Sequence, residues 1–112
     1  MGQGRQAEQQ ACGYLQTKGL RLVEKNYRCR HGEIDLIMLD GEGLVFIEVR
    51  YRRSGSFGGA LASIDIHKQR KLISTASHYL QARRQRCAAR FDVVAIDGNG
   101  QIDWVPNAFD AQ

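Results

Sequence analysis

The chain has 112 residues, of which 43% are hydrophobic and 25% are charged, and its formal net charge is +4. This length and composition predict one globular domain over residues 1–112, with its core at about residues 4–105. No apolar run approaches the ~18 residues that a membrane-spanning helix needs. The first ten residues also lack the apolar segment of a signal peptide. We therefore expect a cytoplasmic protein with no membrane partner.

The pattern of apolar residues predicts the order helix, three strands, helix, two strands. Helical spacing places the two helices at residues 5–18 and 65–83. Runs rich in Ile, Leu and Val predict five strands, at residues 20–29, 33–39, 44–51, 91–97 and 101–105. The DGEG sequence at 40–43 predicts a hairpin, and the tail at 106–112 is expected to be frayed. This order is typical of an α/β domain with a mixed central β-sheet flanked by helices.

The positive charge is concentrated in one part of the chain. Residues 50–90 hold ten basic residues and one acidic residue, a balance of +9. Residues 1–49 hold six basic and seven acidic residues, and residues 91–112 hold four acidic residues and no basic residue. A polyanionic partner explains this basic block, and a solvated basic face that improves solubility explains it equally well.

Two carboxylates, Asp35 and Glu48, stand in predicted strands that are otherwise apolar. If the hairpin is symmetric about the middle of the DGEG turn, Asp35 lies directly opposite Glu48, and Glu33 lies opposite Arg50. Cross-strand Cβ atoms are ~5 Å apart, and two carboxylates so close repel by ~3 kcal/mol at an effective dielectric constant of about 20. A proton or a cation between them removes this repulsion. Because Mg²⁺ prefers oxygen ligands, the pair is a predicted Mg²⁺ site.

Two further charged residues are candidates for this site. Glu8 lies at the edge of the apolar face of the first helix, where the helix dipole alone explains an acid. Together with Asp35 and Glu48, however, it is predicted to be a third acid of the metal site. Arg50 projects from the same strand face as Glu48, where it can bind a phosphate oxygen or position a water molecule. An ordinary ion pair between Arg50 and Glu33 is the competing interpretation.

The segments around these acids resemble a known group of proteins. The resemblance covers most of the chain and rests on Gly4, Glu8, GEIDLI at 32–37, VFIEVR at 45–50, HKQRKL at 67–72 and RFDVVAI at 90–96. These segments resemble the PD-(D/E)XK nuclease superfamily. They resemble more closely its YraN-like family of small bacterial proteins, which are related to Holliday-junction resolvases.

The resemblance implies a restriction-endonuclease-like fold, dependence on Mg²⁺ or Mn²⁺, and hydrolysis of phosphodiester bonds in DNA, with branched DNA among the substrates. By position, Asp35 and Glu48 are the implied metal ligands and Glu8 is an additional catalytic acid. The superfamily usually has lysine where this chain has Arg50. Because a guanidinium stays protonated, Arg50 cannot accept a proton from water. Lys68, at the start of the second helix, is the residue expected to supply the missing group.

Basic residues near the predicted site are expected to contact nucleic acid, DNA rather than RNA. They are Arg52, Arg53, Lys68, Arg70 and Lys71. Cations in the first turn of a helix oppose its dipole, so the last three are not placed for helix stability. An enzyme that nicks a junction symmetrically needs two active sites, which predicts a twofold homodimer.

Two other functions stay open on the sequence alone. Besides a nuclease, the sequence is compatible with a nucleic-acid-binding domain of the same fold that has lost catalysis, as Arg50 suggests, and with a module whose basic face binds an acidic protein. The three cysteines, Cys12, Cys29 and Cys87, are too scattered for a disulfide framework or a zinc cluster. We expect them to be free thiols.

Overall fold

In the computed structural model, which describes residues 3–52 and 64–110, a five-stranded mixed β-sheet has a helix packed on each face. The elements in chain order are α1 (Gln3–Thr17), β1 (Arg21–Cys29), β2 (Gly32–Asp40), β3 (Gly43–Arg52), α2 (Ile66–Ala82), β4 (Ala89–Asp97) and β5 (Ile102–Phe109). The strands lie in the order of the chain. The pair β3–β4 is parallel and the other neighbouring pairs are antiparallel. The predicted α/β class and element order are confirmed.

Helix α1 packs on one face of the sheet because its small and apolar residues fall on one side. Ala7, Ala11 and Leu15 follow each other at intervals of four residues, and all three are buried. They pack in one cluster with sheet residues Leu36, Met38, Val45, Ile47, Val94 and Ile96. Gly19 then adopts φ +98°, the left-handed conformation that commonly ends a helix, and the chain turns into β1.

Helix α2 covers the opposite face of the sheet. Its N-cap is Asp65, whose side chain accepts a hydrogen bond from the backbone N–H of Lys68 at 2.8 Å. Leu72, Ala76 and Tyr79 are buried on this helix and pack with sheet residues Ile37, Leu44, Phe46, Phe91 and Val93. The cap and this packing place Lys68 in the first turn of α2, at the end of the helix that follows the undescribed residues 53–63.

Strand β5 extends beyond the predicted end at Val105. It continues past Pro106 to Phe109, whose ring stacks on Phe91 with centroids 4.9 Å apart. The expectation of a frayed tail is therefore wrong for residues 106–109. Pro106 is tolerated because β5 is an edge strand and because its pairing with β4 is irregular at this point.

A buried carboxylate holds the irregular end of β5 against β4. Asp92 is only 1% exposed. It accepts hydrogen bonds from Arg90 Nε at 3.0 Å, from Trp104 Nε1 at 3.0 Å and from the backbone N–H of Asn107 at 2.9 Å. Arg90 also donates to Asp40 at 2.8 Å. The charged residues of the RFDVVAI segment therefore join strands to one another.

Replacing Asp92 with asparagine should destabilise this connection. A neutral amide loses the charge-assisted bonds to Arg90, so we expect D92N to lower the free energy of unfolding by about 2 kcal/mol. Urea denaturation followed by the fluorescence of Trp104 measures the change. The exposed Asp110→Asn is the control and should stay within about 0.5 kcal/mol of the parent protein. Equal stabilities for the two variants would contradict a structural role of Asp92.

Two findings concern the cysteines and the helices. The three cysteines are free thiols, as predicted: Cys12 is buried, Cys29 is half-buried and Cys87 is exposed. Within the part of the chain that the structure describes, no helix is long and apolar enough to cross a membrane.

Candidate active site

The hairpin of β2 and β3 has the predicted register. The paired residues run from Asp40 opposite Gly43 to Leu36 opposite Ile47. Beyond this last pair, a side chain replaces the backbone partner: Oδ2 of Asp35 accepts a hydrogen bond from the backbone N–H of Val49 at 2.8 Å. Regular strand pairing thus ends where the candidate acids begin.

This register brings the carboxyl groups of Asp35 and Glu48 within hydrogen-bonding reach of each other, an arrangement that favours a proton on one of them. Burial, and after it the charge of Asp35, raise the pKa of Glu48 to about 7. Burial also raises the pKa of Asp35, whereas the hydrogen bond from Val49 lowers it. Burial and the neighbouring carboxyl group therefore favour the protonated form of Glu48, which is only 6% exposed.

Glu8 reaches this pair from α1. Its carboxyl group is hydrogen-bonded to Asp35 and to the side chain of Asn26. Burial, followed by the charges of Asp35 and Glu33, raises the pKa of Glu8. The three acids predicted from the sequence therefore lie together, and we call Glu8, Asp35 and Glu48 the acid cluster.

Asn26 is a residue of this site that the sequence analysis missed. It lies in β1 between the pairs Lys25–Leu36 and Tyr27–Ile34, so it faces Asp35. Its φ of +54° is left-handed, a conformation that asparagine adopts more readily than most residues. The amide hydrogen bond to Glu8 favours the ionised form of that acid and lowers its pKa. The sequence held one weak signal, because asparagine is uncommon inside strands.

Two cations flank Glu48. Lys68 Nζ and Arg50 Nε each lie 3.5 Å from Oε2 of Glu48. Lys68 comes from the first turn of α2, and Arg50 lies two residues after Glu48 in β3. The alternative ion pair between Arg50 and Glu33 is wrong, because Glu33 pairs with Arg28.

Of the remaining residues predicted to contact nucleic acid, three are near Arg50 or Lys68 in the chain and one lies outside the described residues. Arg52 is half-buried at the end of β3, whereas Arg70 and Lys71 are exposed on α2, shortly after Lys68. Arg53 lies outside the described residues, so its placement stays a prediction. The structure thus brings Lys68 and Arg50 to the acid cluster and leaves Arg70 and Lys71 open to solvent.

The donor chemistry of the acid cluster suits a hard divalent cation. Mg²⁺ is usually bound by one or two carboxylates, with water and substrate phosphate completing its shell. Over residues 3–52 and 64–110, no three His, Cys, Asp or Glu side chains are arranged so that they could hold an ion together. The fit to a metal therefore rests on Asp35 and Glu48, with Glu8 hydrogen-bonded to Asp35.

These features define an α/β domain in which acids from α1, β2 and β3 converge on a lysine from α2. The family model described as "Uncharacterised protein family UPF0102" matches residues 7–96, a range that contains the acid cluster and both cations. The chain therefore belongs to the UPF0102 family, in agreement with its resemblance to YraN-like proteins.

Relatives from several bacteria match over nearly their whole length. A UPF0102 protein of Nitrosococcus oceani is 58% identical, with 95% of this chain and 90% of the relative covered. One from Psychromonas ingrahamii is 56% identical, with 92% and 85% covered. One from Methylococcus capsulatus is 53% identical, with 97% and 91% covered.

Proposed function

We propose that this protein is a nuclease that uses Mg²⁺ or Mn²⁺ to hydrolyse phosphodiester bonds in DNA. The acid cluster is the observation that carries the proposal. Burying carboxyl groups against one another opposes folding unless a proton or a cation compensates. Strongly raised pKa values, such as that of Glu48, are concentrated at functional sites. Metal-assisted hydrolysis of a phosphodiester uses carboxylates that hold the metal ion, with cationic groups beside them for the phosphate.

The three acids of the cluster have distinct roles in this proposal. Asp35 and Glu48 hold the metal, and the hydrogen bonds from Glu8 and from the Val49 N–H orient Asp35. When bound, Mg²⁺ or Mn²⁺ activates a water molecule and neutralises charge on the scissile phosphate. The proton shared by Asp35 and Glu48 must leave first, because metal ligands are deprotonated.

The two cations have different roles. The guanidinium of Arg50 stays protonated, so we assign it to a phosphate oxygen. Lys68, whose Nζ lies 3.5 Å from Glu48, is assigned to the position that the superfamily usually gives to the strand lysine. There it stabilises charge that develops on the phosphate as the water attacks.

A cleavage assay tests the proposal. Four-way junction, flap, single-stranded and duplex DNA, with a matching RNA duplex, are incubated with the protein in Mg²⁺, in Mn²⁺ or in EDTA. We expect at least one DNA substrate to be cut with a metal and none to be cut in EDTA. Preference for the junction, and a twofold dimer in light scattering, would extend the proposal to a junction-cutting enzyme. If none of the substrates is cut under any of these conditions, the nuclease proposal is overturned.

A catalytically impaired nucleic-acid-binding domain is the second candidate, because Arg50 occupies the position of the usual lysine. This function predicts binding without cutting, and affinity that falls steeply as the salt concentration rises. Absence of binding even at low salt would instead favour a module that binds an acidic protein.

The role of Lys68 gives a specific prediction. We expect Lys68→Met to lower the single-turnover cleavage rate about 100-fold, a size typical of losing a group that acts on the transition state. Lys25, exposed in the edge strand β1, provides the matched control Lys25→Met. Lys68→Arg should recover most of the rate if charge alone is needed. Equal rates for Lys68→Met and Lys25→Met would contradict the assignment.

A further inference from the structure

A second surface, lined by both polar and apolar side chains, lies along α2, away from the acid cluster. One groove of about 340 Å³ is lined by Arg30, His31, Ser74, Ser77, His78 and Gln81, among others. A neighbouring groove of about 480 Å³ shares Ser77 and Gln81 with the first and adds Arg84 and Arg86. Because the two grooves share lining residues, they form one continuous surface, which we call the distal groove.

Contacts between the β1–β2 turn and α2 build this surface. A Cβ added at Gly32 would approach Thr75 Oγ1 to 3.0 Å, so the turn lies close against the helix. The Tyr27 hydroxyl is 2.6 Å from His78 Nδ1, which leaves Nε2 as the ring nitrogen available to a ligand. The rings of His31 and His78 lie 5.9 Å apart between centroids. The distal groove therefore has defined polar groups from two elements.

The charge of the distal groove is positive. Among the described residues that line its two parts none is acidic, and α2 contains no acid over Ile66–Ala82. On the neighbouring strands, Glu24 is paired with Arg83 at 3.2 Å and Glu33 is paired with Arg28. Guanidinium, imidazole, hydroxyl and amide groups are the donors that proteins use on the phosphates of nucleic acid.

The spacing along α2 relates the distal groove to the acid cluster. His78 follows Lys68 by ten residues on one helix, a separation of ~15 Å at ~1.5 Å per residue. Exposed Lys71 lies between them. A duplex with one phosphate at the acid cluster presents further phosphates ~15 Å away, which is roughly four base pairs along its axis.

We infer that the distal groove binds the phosphate backbone of the substrate duplex, roughly four base pairs to one side of the cleaved bond. This inference rests on the proposed function, because the acid cluster defines where the duplex is cut. The groove holds the flanking duplex through Arg30, Arg84 and the His31–His78 pair. Cleavage therefore requires duplex DNA on that side of the cut.

Binding in the absence of metal tests the inference. Anisotropy of a labelled duplex of about two helical turns is measured in EDTA at several salt concentrations for Arg30→Gln/Arg84→Gln. The control, Lys18→Gln/Lys25→Gln, removes the same charge from exposed positions after α1 and in β1. The slope of log affinity against log salt is negative, and we expect its magnitude to decrease by about 2 for the first variant, since each phosphate contact contributes ~0.9. The control should keep the parent slope.

The outcomes separate this inference from the nuclease proposal. One outcome is that the protein cuts DNA while the slope for the Arg30/Arg84 variant equals the parent slope or changes only as much as the control slope does. In that case the distal groove does not bind the duplex, and the nuclease proposal is retained. If the magnitude of the slope decreases only for the Arg30/Arg84 variant but no substrate is cut, duplex binding by the distal groove is supported and the nuclease proposal fails. Binding of free inorganic phosphate in place of the duplex would also overturn the inference. Urea denaturation midpoints equal to that of the parent protein establish that both variants are folded.

Discussion

Replacing Asp35 with asparagine is expected to reduce metal-dependent DNA cleavage by roughly 1,000-fold or more, about 4 kcal/mol of transition-state stabilisation. Asp35 is the centre of the acid cluster, because it is hydrogen-bonded to Glu8, to Glu48 and to the backbone N–H of Val49. Asparagine keeps the size of the side chain but loses the charge that holds a divalent cation. Single-turnover rates in Mn²⁺, measured on the best substrate of the panel, determine the loss.

The hairpin itself supplies the control for this loss. Glu42 is exposed in the turn between β2 and β3, so Glu42→Gln removes an acid of the same hairpin without touching the acid cluster. We expect its cleavage rate to remain within about twofold of the parent rate. Cleavage that persists in both Asp35→Asn and Glu48→Gln would identify a contaminating nuclease and remove the basis of the proposal.

The metal-free protein is expected to lose stability as the pH rises, and Glu48 is expected to cause most of the loss. Its pKa is about 7 in the folded protein, against an ordinary 4.5. The folded state therefore holds the proton more tightly than the unfolded state between these two values. The contribution of Glu48 to the free energy of unfolding should be largest below pH 4.5. It should decrease as the pH rises from 4.5 through 7. The full effect is about 3 kcal/mol.

Urea denaturation in EDTA, near pH 5 and near pH 8, measures this dependence. Glu48→Gln cannot ionise, so we expect it to be more stable than the parent protein near pH 8 by most of those ~3 kcal/mol and to show a flatter pH profile. Adding Mg²⁺ should stabilise the parent protein near pH 8 and have little effect on Glu48→Gln. Glu42→Gln should follow the parent profile. Parallel pH profiles of the free energy of unfolding for the parent and Glu48→Gln would contradict a destabilising ionisation of Glu48.

The central part of the site was predictable because local rules determine it. The DGEG turn fixes the register of the β2–β3 hairpin, and the register places Asp35 beside Glu48. Glu8 was predictable from its position at the edge of the apolar face of α1. The helix order and sheet class followed from apolar periodicity and from the strength of the hydrophobic strands.

The features that were missed depend on contacts between distant segments or on competition between neighbouring charges. β5 continues past Pro106 because Asp92 accepts the Asn107 N–H, a contact between two strands that no local pattern indicates. Asn26 joins the site only because β1 pairs with β2 at that point. Arg50 pairs with Glu48 on its own strand, since Arg28 already occupies Glu33. In each case a partner far away in the chain, or a competing charge, decides the outcome.

Calorimetric titration of the folded protein with Mn²⁺ near pH 7 tests the proposed metal centre most directly. The acid pair must release its shared proton to bind an ion, so we expect saturable binding whose heat varies with the ionisation enthalpy of the buffer. Asp35→Asn should abolish this binding, and Glu42→Gln should leave it unchanged. A parent protein that gives no saturable heat, or an Asp35→Asn variant that binds Mn²⁺ as well as the parent does, would contradict a metal centre at Asp35 and Glu48.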